Sequence, residues 1–155
     1  MAVISELIRK EADGTISFGD YTLDAKAKVD NYNHNGAVYK VKTFKDITKL
    51  ECNDLLVYES VPGTAVFNFN KVEGKVSFSV IGKESAQITL GLAPETAYEI
   101  TLNGESVGVM NANLGGKLSL GIELTEENKK RLEKIAGMKW EEMWIGQYSP
   151  IITPD

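Results

Sequence analysis

Acid–base or nucleophilic chemistry in this chain has few residues to draw on. His34 is its one histidine and Cys52 its one cysteine among 155 residues. The arginines are two, Arg9 and Arg131. One imidazole cannot make a multi-histidine zinc site, and neither CxxC nor HExxH occurs. A serine triad using His34 would need a Gly-x-Ser-x-Gly elbow, which is absent. His34 stands in Asn33-His34-Asn35-Gly36, where short amides and a glycine tolerate left-handed backbone, so the stretch predicts a turn. Cys52 lies between Glu51 and Asn53 with no neighbouring cation to hold a thiolate, and it reads as structural. No catalytic residue, metal site or cofactor is expected.

Carboxylates are the abundant resource, with 22 acidic residues. A glycosidase needs two at a fixed separation, and sequence spacing singles out no pair. Glu59 inside "LLVYESV" (55–61) and Glu99 beside Tyr98 are the first candidates for a raised pKa, although alternation along their strands turns both toward solvent. "NLGGK" (113–117) lacks Walker spacing and has no Ser or Thr directly after Lys117, so it makes a poor phosphate loop. Trp140, Trp144 and Tyr148 recur every four residues and share one face if that stretch is helical. Such a stripe can bind a ligand by stacking on sugar rings. It can also pack the tail onto the body or a second subunit, where fully burying one large side chain stabilises by about 2–3 kcal/mol. Packing is the preferred reading.

The elements that must position these residues read mainly as strands. Gly116-Lys117-Leu118-Ser119-Leu120 echoes Gly74-Lys75-Val76-Ser77-Phe78 and Gly14-Thr15-Ile16-Ser17-Phe18. In each, a glycine closes a turn and the side chains then alternate. Ile16/Phe18, Val76/Phe78 and Leu118/Leu120 point inward, while the intervening Thr, Lys and Ser point outward. All three predict return strands of hairpins. Their unequal separation excludes a repeat array. "AVYKVKTF" (37–44) sets an apolar face of Ala37, Tyr39 and Val41 against Val38, Lys40 and Lys42. "TAVFNFN" (64–70) pairs with "KVSFSVI" (75–81), and further strands are expected at 86–92, 96–102 and 106–112, with Asn103-Gly104 as a tight turn. The opening residues 2–10 read as a strand. Thr125 caps a helix in which Glu126–Lys130 and Glu127–Arg131 are i,i+4 pairs and Leu132, Ile135 and Ala136 form the apolar face. "SPIITPD" follows as an extended tail.

"GLAPETAYEI" (91–100) carries a specific pattern in Leu92, Pro94, Thr96 and Tyr98. It resembles the strand E–F corner of fibronectin type III domains, in which a tyrosine hydroxyl ties the corner back to upstream backbone. The resemblance implies a sandwich, and Leu92, Pro94, Thr96 and Tyr98 as its structural corner. "KTFKDITKLE", "VYESVPGTAVFNF" and "AQITLGL" together are similar to short bacterial proteins labelled endosialidase, a label that implies hydrolysis within polysialic acid. Sialidases hold the substrate carboxylate with three arginines, and Arg9 and Arg131 alone cannot form that set. No sialidase residue is carried over.

These readings converge on a mainly β protein: an antiparallel β-sandwich over residues 1–124, with a C-terminal α-helix and aromatic tail over 125–155 packed on it or on a partner subunit. The expected function is a non-catalytic binding or assembly module, self-associating through its tail. The alternatives are a glycan-acting hydrolase and a phage or virion structural protein. The expected partners are a second copy or a glycan. A net charge of −5 repels phosphate backbones, so nucleic acid is not expected. No apolar run approaches the roughly 20 residues of a membrane span, and the first ten residues do not read as a signal peptide. The expected location is the cytoplasm or a virion.

Overall fold

A computed structural model describes residues 6–72, 75–83, 85–102, 105–122 and 151–154. They form thirteen strands in two antiparallel sheets. The six-stranded sheet runs in the order β12 (Lys117–Ile122), β9 (Ala86–Gly91), β6 (Leu55–Val61), β5 (Ile47–Cys52), β4 (Ala37–Phe44) and β3 (Ala27–His34). The seven-stranded sheet runs β1 (Ile8–Lys10), β2 (Ile16–Phe18), β7 (Ala65–Val72), β8 (Lys75–Ile81), β13 (Ile151–Pro154), β10 (Ala97–Leu102) and β11 (Glu105–Asn111). The helix expected from Thr125 and the stripe of Trp140, Trp144 and Tyr148 lie outside the described residues. No described helix is long and apolar enough to cross a membrane.

Period-two alternation builds the core. Val41 and Leu50 face each other across β4 and β5, and Leu50 faces Tyr58 across β5 and β6. All three are fully buried. Tyr58 then bridges the sheets: its ring stands edge-on to Phe18 of β2 at 5.3 Å and to Phe78 of β8 at 5.6 Å. Such T-shaped pairs let the positive ring edge meet the negative face. Phe69 stacks on Phe78 at 5.5 Å, which completes an aromatic centre between the sheets.

A knot of hydroxyls sits beside this centre, because a buried polar group must find partners. Thr64 Oγ1 lies 2.8 Å from both the Tyr58 hydroxyl and Ser60 Oγ. The Thr48 hydroxyl donates to the Thr64 carbonyl at 2.7 Å and accepts from its N–H at 3.1 Å. Thr43 Oγ1 lies 2.8 Å from Thr48 Oγ1 and accepts from the Asp20 N–H. The backbone crosses close by at Gly19 (φ +95°), where a Cβ would meet the Thr64 carbonyl at 2.6 Å.

Two sequence readings are corrected. Ser17 is buried, whereas alternation predicted that it faces solvent. Ser17 is covered because its hydroxyl bonds the Glu11 carboxylate and accepts from the Asn68 N–H at 3.1 Å. The third glycine echo is not a hairpin: β12 pairs with β9, not with β11. Gly116 (φ +78°) instead ends a turn that carries the chain from one sheet to the other. Asn113 Oδ1 organises that turn by accepting from the Gly115 and Lys117 N–H groups, both at 2.9 Å.

Candidate functional site

The C-terminal strand occupies an unusual place. β13 lies between β8 and β10, antiparallel to both. Against β10 its register is Ile151↔Thr101, Ile152↔Ile100, Thr153↔Glu99 and Pro154↔Tyr98. Against β8 it is Ile151↔Ser77 and Ile152↔Val76. Proline lacks a ladder donor and suits strand ends, and Pro154 stands at the last position. Neither neighbour is joined to β13 by a hairpin. The preceding described strand in sequence is β12, which ends at Ile122 at the edge of the other sheet. Among the described residues, the β10–β11 hairpin joins the rest of its sheet through β13.

The sequence-predicted corner sits beside this slot. Tyr98 is buried, and its hydroxyl accepts from the Ala93 N–H at 3.1 Å. Pro94 offers its carbonyl to the Thr96 hydroxyl at 3.0 Å. Leu92 donates its N–H to the Gly116 carbonyl at 2.6 Å, and Ala112 donates to Thr96 at 2.9 Å. The corner is thereby bonded to the turn that carries the chain between the sheets, and it fixes where β10 begins.

At the same end of the molecule, turns from both sheets surround a cleft of about 900 Å³. Its lining includes His34, Tyr39 and Cys52 from the inner face of the six-stranded sheet and Glu51 and Glu59 from its outer face. Tyr39 and Cys52 face each other across β4 and β5. Burial, reinforced by Cys52, pushes the Tyr39 phenol up to about 12. A phenol so raised stays protonated and serves as a donor. The His34 ring packs against Tyr39 at 6.2 Å. Its Nε2 lies 3.1 Å from the Gly14 carbonyl. The same Nε2 lies 3.2 Å from Asn35 Nδ2, and Nδ1 is buried without a hydrogen-bond partner.

Strand register sets lysines opposite these carboxylates. Glu59 lies opposite Lys49, and Glu51 opposite Lys40. Lys40 also pairs with Asp54 at 3.8 Å. The row of Lys49 and Glu59 continues across the outer face of this sheet, with Lys28, Lys42 and Lys49 directly opposite their neighbours on β3, β4 and β5. Glu99 is exposed on β10, away from the cleft. Among the described residues no three His, Cys, Asp or Glu side chains converge to hold a metal ion. Sequence reasoning missed the lysine row because its members are brought together only by strand register. It missed the slot because a four-residue strand in a tail has no hairpin partner to announce it. No family model, curated protein or solved structure matches the chain.

Proposed function

We propose that the chain is a non-catalytic β-sandwich module for binding or assembly, self-associating through its C-terminal tail. The observation that carries this reading is the interior position of β13: the last strand of the chain closes a sheet to which no hairpin binds it. Backbone pairing gives such a segment affinity without demanding a particular side-chain chemistry. The cleft supports the non-catalytic half. Lysines stand opposite its carboxylates, its thiol stands opposite a phenol, and its imidazole Nδ1 is buried. A virion structural protein would use the same property. The mass of the full chain in solution tests the reading against that of a chain lacking residues 138–155. A concentration-dependent oligomer lost on truncation is expected. A monomer at every concentration, with unchanged stability after truncation, rejects the reading.

A glycan-acting hydrolase is the second reading, favoured by two carboxylates, Glu51 and Glu59, on one face of the sheet beside the cleft. Two carboxyls across a cleft are the minimum equipment for glycoside hydrolysis. Incubation with polysialic acid and a panel of oligosaccharides decides it. Turnover abolished by Glu59→Gln supports it, and no release of sugar from any substrate removes it.

A further inference from the structure

We infer that the gap between β8 and β10 is an acceptor slot for a free β-strand, and that in assemblies its occupant is the Ile151–Pro154 segment of a second copy of this chain. The inference rests on the assembly reading and names its contact. Three observations lead to it.

First, β13 is bound as a peptide would be. Its recognition is the main-chain ladder to β10 over four residues and to β8 over two, with no local turn to enforce it. Strand addition of this kind is set by backbone groups and register, and these are identical whichever copy supplies the strand.

Second, the tether is long. Residues 123–150 separate β12 from β13. At about 3.3 Å per residue when extended, they reach several times the ~10 Å between packed sheets. Chain length alone therefore does not force β13 into the slot of its own copy.

Third, the slot cannot be left open without consequence. Val76 and Ile100, which pair with Ile152, are buried, and β10–β11 joins its sheet through β13. An empty slot would leave two unpaired strand edges facing each other, the arrangement that most readily captures another strand. The occupant is fixed by this register: the segment that pairs in it is carried by every copy.

The experiment uses the full chain with Cys52→Ser as background. One preparation carries Glu99→Cys and another Thr153→Cys, at positions directly opposite across β10 and β13. Directly opposed residues bring their Cβ atoms to about 4.5–5.5 Å, within reach of a disulfide after small adjustment. The two preparations, distinguished by a tag, are unfolded, mixed, refolded and oxidised at the concentration where the chain is oligomeric. A mixed disulfide at least tenfold more abundant than either like-with-like product is the expected result. The Glu99→Cys/Thr153→Cys double variant is oxidised in parallel. If it closes only within one chain while the single variants yield no mixed product, the occupant is the chain's own strand and the inference is overturned. An oligomer that persists under that outcome leaves the assembly reading standing on another surface. A chain that is monomeric throughout removes the assembly reading itself. Circular dichroism of each variant confirms the β fold. A variant that does not refold is replaced by Ile100→Cys with Ile152→Cys, which are also directly opposed.

Discussion

The two sheets are made by different routes. In the six-stranded sheet, β3 to β6 follow one another as a meander, each strand paired with the next in sequence. In the seven-stranded sheet, β2 pairs with β7 and β13 with β8 and β10, so its closure joins strands distant in sequence. Loop-closure entropy favours local pairing over distant pairing. The meander is therefore the part that forms as a unit, and the β8–β13–β10 seam is the part that opens as one.

The largest test of this contrast removes residues 151–155. Each backbone bond lost is worth about 0.5–1.5 kcal/mol net, so a destabilisation of about 3–6 kcal/mol is expected. Amide hydrogen exchange should lose protection in β10 and β11 while β3–β6 keep theirs. Equal loss in both sheets would erase the contrast. Leu50→Ala probes the other side. It opens a cavity at a fully buried position in the meander and should cost about 2–5 kcal/mol. Protection should then fall in both sheets together, because the aromatic centre joins them.

Smaller effects sharpen the picture. Tyr58→Phe removes one arm of the hydroxyl knot at a cost of about 1–2 kcal/mol, read as a lowered melting temperature. Burial raises the Tyr58 phenol well above its ordinary value and Tyr39 to about 12. The folded chain thus holds both protons longer than the unfolded chain, whose tyrosines titrate near 10. Stability from both groups is complete below about pH 10 and falls as pH rises through about 12. The alkaline limb of the stability profile should be shallower in Tyr58→Phe, and shallower again with Tyr39→Phe added. The smallest expected effect is a gain. Lys42 sits between Lys28 and Lys49, and like charges directly opposite are unfavourable. Lys42→Glu should stabilise the chain by about 0.2–1 kcal/mol at low salt, and added salt should erase the gain.

Much of the fold was legible locally. The inward faces of Tyr39/Val41 and Val76/Phe78, the hairpin β7–β8 and the turn at Asn35–Gly36 follow from alternation and turn chemistry, which act over a few residues; Asn33 and His34, expected in that turn, instead end β3. The partition into sheets was not legible. Gly116 carries the same local signature as Gly74, yet one starts a strand in the other sheet and the other a hairpin return. The difference lies in the bonds from Leu92 and Glu95 to the Asn113–Gly116 turn, which are distant in sequence. Ser17 looked exposed because its cover, Glu11 and Asn68, comes from other strands. The grouping of His34, Tyr39 and Cys52 at one cleft follows from the β4–β5 register, which a single sequence does not print.

The knot around Thr64 has a consequence for alignment. It ties side chains of β4, β5 and β6 to the backbone entering β7. Sliding any of these strands by one position would turn its hydroxyls to the wrong side and strand their partners in an apolar interior. The misaligned sheet would thus be penalised several times over, by a single threonine that acts as an indexing pin.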